Sequence, residues 1–150
     1  MKVVLQRVSK ASVSINNSLE SSIGNGLLIL LGIHPEDTQE DIDWLVKKIG
    51  NMRIFEDENG VMNFSVLDVK GEVLVVSQFT LQASTKKGNR PSYIKAARPV
   101  VAIPLYEAFK KQLASCISID VKSGVFGADM QVAMVNDGPI TIILDSMAKV

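Results

Sequence analysis

Two continuous apolar runs, at residues 27–33 and 73–76, stand out from the alternating segments around them. A strand with one solvent-exposed face alternates apolar and polar residues, whereas a strand buried on both faces shows an unbroken apolar run. The two runs therefore predict the central strands of a sheet. Residues 2–15 alternate only in part and predict one long or bent strand, which Asn16-Asn17 turns back into a second strand at 18–23.

Two further segments have the periodicity of helices. Four apolar residues after Asp37 and Thr38 follow the i, i+3, i+4, i+7 spacing of one helix face: Ile42, Leu45, Val46 and Ile49. A second helix is predicted over residues 102–115. Its regular part is expected from about Ile103, because Pro99 and Pro104 constrain the start and proline is tolerated only in the first helical turn.

The remaining segments predict strands that mostly pair with their neighbours in sequence. They are expected at residues 52–56, 61–64, 72–79, 117–123, 130–136 and 140–144, with a turn at 136–139 between the last two. Hairpin-like neighbours with only two helical crossovers indicate an α+β fold: an antiparallel-rich mixed sheet or partial β-barrel with two main helices. At 150 residues with 47% apolar content, the chain suits one domain over residues 1–150.

The charges balance over the whole chain but not along it. Lys and Arg together number 16, as do Asp and Glu, so the net charge identifies no partner. Between Glu72 and Glu107, however, there is no acidic residue, and the basic residues in this stretch are Lys86, Lys87, Arg90, Lys95 and Arg98. A basic stretch is often only a solvated loop. Beside a candidate site, such a stretch favours a phosphate-bearing ligand.

Polar side chains follow the second apolar run directly. Ser77, Gln78 and Thr80 surround Phe79 at the predicted end of the strand. Either the strand reaches solvent there, or a rigid scaffold holds a site. Hydroxyl and amide groups can orient a carbonyl or stabilise an oxyanion, but they cannot easily act as a general base. In an enzyme of this kind, the base or nucleophile would come from water or from the substrate.

Most familiar catalytic sets are missing from this sequence. There is one histidine, His34, and one cysteine, Cys116, so no His/Cys cluster has metal-ligand spacing, and no glycine-rich phosphate loop occurs. We therefore expect neither a metal nor a cofactor. The cysteine usage, the lack of a secretory leader pattern and the lack of a membrane-span run predict the reducing cytosol and no membrane partner. Gly138-Pro139 is most often a tight turn; a cis bond that shapes a pocket is the alternative.

Four short motifs occur in order along the chain. They are LQRV near the amino-terminal end, SQFTL after the second apolar run, KGNRPSY in the basic stretch and NDGPIT near the carboxyl-terminal end. Together they resemble the D-aminoacyl-tRNA deacylases, and the resemblance runs from Met1 to about Leu144. Either SQFTL or NDGPIT alone would be a weak signal. Their order and separation, in a chain of this length, make the resemblance specific.

The resemblance implies a cytoplasmic homodimer that hydrolyses the ester between a D-amino acid and tRNA, and that also removes glycine mischarged on tRNA-Ala. It implies that Gly138-Pro139, with a cis bond, reaches from one subunit into its partner's pocket and excludes L-amino acids. It further implies assistance from the 2′-hydroxyl of the terminal adenosine. The expected partner is the aminoacylated acceptor end of tRNA, and no DNA partner is expected.

The resemblance also assigns roles to individual residues. The catalytic positions are Ser77, Gln78 and Thr80, with Thr80 interpreted as a positioning residue. The substrate-binding positions are Phe79, Gly138, Pro139, Arg7, Phe126 and Met130. The acid-free basic stretch fits the acceptor end of tRNA, so Lys86, Lys87 and Arg90 are the expected tRNA-binding residues. A strand-surface charge is the alternative for Arg7, and plain core packing is the alternative for Phe126 and Met130.

Two other functions remain open at the level of the sequence. One is a non-catalytic RNA-binding module that uses the basic stretch. The other is an esterase for a small-molecule substrate with Thr80 as its nucleophile. The first predicts RNA binding without turnover, and the second predicts that tRNA is dispensable.

Overall fold

The computed structural model describes residues 1–149, which form a six-stranded mixed sheet, a small two-stranded antiparallel sheet and two α-helices. In chain order the elements are β1 (Lys2–Ile15), β2 (Ser18–Ile23), β3 (Gly26–Gly32), α1 (Gln39–Asn51), β4 (Phe55–Glu56), β5 (Met62–Phe64), β6 (Glu72–Ser77), a 3-10 helix (Phe79–Gln82), α2 (Pro99–Ile117), β7 (Val121–Ser123) and β8 (Gln131–Asp145). Within residues 1–149, no helix is long and apolar enough to span a membrane.

Strand β1 is the hub of the sheet because three strands pair with it. It is antiparallel to β2, β3 and β8, while β3 and β6, and β6 and β7, are parallel. The helices α1 and α2 provide the crossovers between the parallel strands, as such pairs require. The order β2-β1-β3-β6-β7, with β8 on β1, nearly closes into a barrel. The predicted α+β partial barrel is therefore confirmed.

The sheet has a hydrophobic core on each of its faces. Val3 and Leu5 of β1 belong to the larger core, which the two helices cover, whereas Val8 and Val13 belong to the second core on the opposite face. Strand β1 therefore changes sides along its length, as expected of a long, bent strand. The central strands β3 and β6 contribute to both cores, which explains their unbroken apolar sequence.

Helix α1 agrees with its predicted pattern, but helix α2 begins earlier than predicted. The four apolar positions predicted for α1 are all buried. Helix α2 starts at Pro99, and proline is suited to this first position because its N–H would have no partner within the helix. The amides of Val101 and Ala102 both donate to the Arg98 carbonyl at 2.9 Å. The helix then continues through exposed Pro104, because a buried face that includes Phe109 packs on the core.

The carboxyl-terminal part of the chain also differs from the predicted pattern. The expected strands 130–136 and 140–144 are one strand, β8, and both of its halves pair with β1. Val8 lies opposite Asn136 and Gln6 lies opposite Thr141, so residues 137–140 bulge out of the ladder. The segment is a bulge and not a hairpin turn, because β1 supplies the pairing partner on both sides of it.

Candidate active site

A cavity lies where the parallel strands β3 and β6 end. Both strands run in the same direction, so their carboxyl ends meet at one edge of the sheet, and the Gln78 N–H donates to the Leu31 carbonyl at 2.8 Å. The cavity has a volume of about 280 Å³. Ser77, Gln78 and Phe79 contribute one side of it, and residues 126–130 contribute another.

The polar cluster is held by one hydrogen bond within it and by a second from the following 3-10 helix to β3. The side-chain amide of Gln78 donates to Thr80 Oγ1 at 2.6 Å. The chain then turns into the 3-10 helix, whose buried Gln82 donates to the Gly32 carbonyl at 3.0 Å. A Cβ atom at Gly32 would lie 2.8 Å from Leu81 Cβ and 2.9 Å from the Gln78 carbonyl oxygen. The close packing of the 3-10 helix on β3 therefore depends on glycine at this position.

The walls of the cavity are largely apolar. Phe126 and Met130 line it from the segment that follows β7, and Ala97 and Ala102 line it near the start of α2. The Phe126 ring is packed edge-on against Tyr106, with ring centroids 5.6 Å apart. The small side chains of these two alanines leave room for a ligand. Their place beside the cavity can be inferred from the sequence only once the helix is known to begin at Pro99.

Five of the predicted site residues line this one cavity. They are Ser77, Gln78, Phe79, Phe126 and Met130. Thr80 is joined to them through its hydrogen bond with Gln78. Four residues in or next to the cavity carry no local sequence pattern that relates them to the strand end: Ala97, Ala102, Tyr106 and Asp129.

Arg7, Gly138 and Pro139 lie apart from the residues that line the cavity. Arg7 is only 5% exposed, so it is not the strand-surface charge considered as an alternative. Its Nε donates to the Asp137 carbonyl at 3.0 Å, and its Nη1 donates to the Ile54 carbonyl at 2.7 Å. Arg7 therefore joins the bulge of β8, through Asp137, to the segment that contains Ile54.

The bulge itself is a short, exposed and well-bonded loop. The Ile140 N–H donates to the Asn136 side chain at 2.8 Å, and the Gly138–Pro139 peptide bond is cis. Gly138 has φ +140°, and a Cβ atom there would lie 2.8 Å from Ile140 Cγ1. Only glycine adopts this backbone conformation readily. Gly138 and Pro139 are both exposed on the surface of the chain.

The basic residues predicted to bind tRNA lie on one exposed loop. Lys86, Lys87 and Arg90 are all exposed, and the loop is closed by two hydrogen bonds of 2.8 and 2.9 Å between the backbones of Ser84 and Ser92. Tyr93, directly after the loop, packs edge-on against Phe79 at 5.2 Å between ring centroids. This contact places the loop beside the mouth of the cavity.

The groups around the cavity are suited to polarise a carbonyl and not to remove a proton. Among the residues that line it, all within 1–149, Asp129 alone is ionisable, and its side chain is exposed. Tyr106 is buried behind the wall, and this burial raises the pKa of Tyr106 to about 12, further from neutral pH than the ordinary value for a tyrosine. Residues 1–149 contain no group of three or more His, Cys, Asp or Glu side chains arranged to hold a metal ion.

Several solved structures share this fold, and two of them illustrate the range of similarity. One, described as a c-Myc DNA unwinding element binding protein, is 46% identical with a TM-score of 0.91, over 97% of this chain and 98% of that one. The other comes from a structural analysis of a probable eukaryotic D-amino acid tRNA deacylase. It has a TM-score of 0.82 over 95% of this chain and 97% of that one, and at 18% identity it shows the fold alone.

Curated relatives identify the family. Proteins from Flavobacterium psychrophilum and Parabacteroides distasonis, 62% and 60% identical over 149 residues, are each named D-aminoacyl-tRNA deacylase. Each match covers 99% of this chain and 99% of the relative. The model of the D-Tyr-tRNA(Tyr) deacylase family matches residues 4–145. The chain therefore belongs to the D-Tyr-tRNA(Tyr) deacylase family, and it is an enzyme of the hydrolase class.

The contacts of Arg7 generate a prediction for the bulge. Replacing Arg7 with Lys should lower the free energy of unfolding by about 2 kcal/mol, because one ammonium group does not reproduce the two bonds from a buried guanidinium. Amide hydrogen exchange at Ile140 should become faster. Arg53→Lys is the matched control, because Arg53 also donates to a backbone carbonyl, that of Asn63, but is exposed. Equal losses of stability in the two variants would contradict the anchoring role of Arg7.

Proposed function

We propose that this protein hydrolyses the ester of D-aminoacyl-tRNA, and of glycine mischarged on tRNA-Ala, at the cavity beyond β3 and β6. One observation carries this proposal: in a chain of the deacylase family, Ser77 and Gln78 meet the apolar wall at Phe126 in a single cavity. Its volume of about 280 Å³ suits the terminal aminoacyl group or adenosine rather than a folded nucleic acid. The rest of the tRNA would remain outside.

In the proposed reaction, water attacks the ester carbonyl carbon, the bond to the ribose oxygen breaks and that oxygen leaves with a proton. The hydroxyl and amide groups near Ser77 and Gln78 would stabilise the oxyanion that forms on the carbonyl. Because the cavity offers no buried general base, we propose that the 2′-hydroxyl of the terminal adenosine assists the proton transfer. Thr80 Oγ1 accepts the hydrogen bond from Gln78, which supports a positioning role for Thr80.

We further propose that the protein acts as a homodimer in which the Gly138-Pro139 loop enters the partner's cavity. The loop is exposed and is absent from the lining of the cavity in its own chain. Strand β8 also presents exposed apolar side chains, with Ile143 70% and Val135 46% exposed, which suit an interface. The loop's backbone oxygens would occupy the space that an L side chain needs, so that only D-amino acids and glycine fit.

The loop that contains Lys86, Lys87 and Arg90 is proposed to hold the phosphates of the tRNA acceptor end. Its position beside Phe79 and the mouth of the cavity supports this role. The cytoplasmic location and the absence of a DNA partner remain predictions. One relative of known structure is described as a c-Myc DNA unwinding element binding protein.

The reaction predicts a clear difference between the two hands of one substrate. D-Tyr-tRNA should be deacylated rapidly, L-Tyr-tRNA should be spared by at least about 100-fold, and Gly-tRNA-Ala should also be hydrolysed. The measurement is release of labelled amino acid from each matched tRNA. If neither tyrosyl ester were hydrolysed while tRNA still bound, the result would support an RNA-binding module. If both esters were hydrolysed at similar rates, the proposed exclusion of L-amino acids would be contradicted.

A Thr80→Val variant separates the proposed mechanism from the nucleophile alternative. It should retain measurable turnover, because the variant loses a hydrogen bond and not the attacking group. A substrate with 2′-deoxyadenosine at its end should be hydrolysed at least about tenfold more slowly by the wild type. Complete loss of activity in Thr80→Val, together with full activity on the deoxy substrate, would favour the esterase.

The cross-subunit loop predicts complementation between two inactive variants. Gln78→Ala damages the cavity, and Gly138→Ala damages the loop through the close contact with Ile140. Each homodimer should have little activity. After mixing and subunit exchange, about a quarter of wild-type activity should return, because half of the dimers combine one intact cavity with one intact loop. If each loop served its own cavity, the mixed sample would remain inactive.

The basic loop predicts an effect that depends on salt. Changing Lys86, Lys87 and Arg90 to Glu should raise KM for D-Tyr-tRNA by about tenfold or more at low ionic strength, and by less at high ionic strength. A control with the same charge change uses exposed lysines on the helices: Lys47, Lys48 and Lys111. An equal effect in both triple variants would show that only net charge matters. Competition with duplex DNA of equal length tests the prediction of no DNA partner.

A further inference from the structure

Tyr106 is a buried polar side chain directly behind the cavity. It is 1% exposed, and its hydroxyl donates to the Val75 carbonyl at 3.1 Å. Val75 lies two positions before Ser77 on β6. The same carbonyl accepts the Gly124 N–H at 3.2 Å. Gly124 directly follows β7 and begins the wall segment, residues 124–130, which contains Phe126 and Met130. The Val75 carbonyl of β6 therefore accepts hydrogen bonds both from the Tyr106 hydroxyl on α2 and from the residue that directly follows β7.

The ring of Tyr106 also contacts the wall itself. It packs edge-on against Phe126, with ring centroids 5.6 Å apart and an angle of 63° between the rings. Lys110, one turn along α2, places its Nζ 4.8 Å from the Tyr106 ring centroid and 3.3 Å from Ser123 Oγ. Neighbouring residues of α2 thus contact both ends of this region: Lys110 contacts Ser123, the last residue of β7, and Tyr106 contacts the Phe126 ring.

We propose that Tyr106 is a positioning residue for the deacylase, which fixes the Phe126 wall relative to the Ser77-Gln78 strand end and thereby sets the affinity for the aminoacyl-adenosine end. Tyr106 does not itself line the cavity, so it acts through Phe126 and Val75. This inference rests on the proposed function of the cavity. The alternative is a side chain that contributes to the core and has no particular effect on substrate.

Phe109 provides a matched control for a purely structural role. It lies on the same helix, belongs to the same core as Tyr106 and is 0% exposed. Tyr106→Leu removes the ring and the hydroxyl, Tyr106→Phe removes only the hydroxyl, and Phe109→Leu removes a ring elsewhere in the core. Kinetics would be measured at a temperature at which all three variants are folded, as verified by thermal unfolding.

Tyr106→Leu should raise KM for D-Tyr-tRNA by about tenfold with kcat changed less than about threefold, because the proposed loss is in binding. Tyr106→Phe should recover much of this loss, since it keeps the ring contact with Phe126. Phe109→Leu should lower the melting temperature without raising KM. Equal KM values for Tyr106→Leu and Phe109→Leu would overturn the inference.

A second readout is independent of activity. Amide hydrogen exchange in residues 124–130 should become faster in Tyr106→Leu and remain unchanged in Phe109→Leu. Unchanged exchange in both variants would overturn the positioning role. If the wild type failed to hydrolyse D-Tyr-tRNA, the proposed function would fail, and the exchange measurement would still decide whether Tyr106 positions the wall.

Discussion

The structure depends on the burial of both faces of the central strands β3 and β6. Their side chains alternate between two hydrophobic cores, with Leu27 and Val73 facing the helices and Leu28 and Leu74 facing the opposite core. A polar side chain within either strand would lose its water without gaining a partner. Polar chemistry can therefore begin only where the strands end. Because the two strands are parallel, they end together, and the cavity forms at that edge.

Strand β1 imposes a second constraint, which concerns the other half of the proposed site. It pairs with β8 on both sides of the bulge at residues 137–140, and the buried guanidinium of Arg7 occupies the gap. A buried charge is tolerated when it is paired and hydrogen-bonded. Arg7 donates to the carbonyls of Asp137 and Ile54, and it lies 3.5 Å from the Asp137 carboxylate and 3.7 Å from that of Glu56. The result is a firmly held, exposed loop that does not line its own chain's cavity. This arrangement suits a site completed by two subunits.

Family membership and the chemistry of the cavity agree on the class of reaction. An enzyme of the deacylase family acts on an activated ester, which needs carbonyl polarisation more than it needs a strong base. Gln78 and Thr80 form a hydrogen-bonded pair beside an apolar wall, and the ionisable side chain in the lining, Asp129, is exposed. A non-catalytic RNA-binding module does not account for the family assignment, although the exposed basic loop would serve both functions.

The sequence alone determined the features that depend on neighbouring residues: the two doubly buried strands, the amphipathic face of α1, and the motifs that identify the family. Tertiary structure decided the features that depend on distant partners. Helix α2 passes through Pro104 because its buried face packs on the sheet core, and residues 130–144 form one strand because β1 pairs with both halves. Likewise, Arg7 is buried because the bulge and Ile54 lie against it. Tyr106 contacts Phe126 because the fold packs α2 against the segment that follows β7. Local propensity cannot specify such contacts, because their free energy comes from residues far apart in the chain.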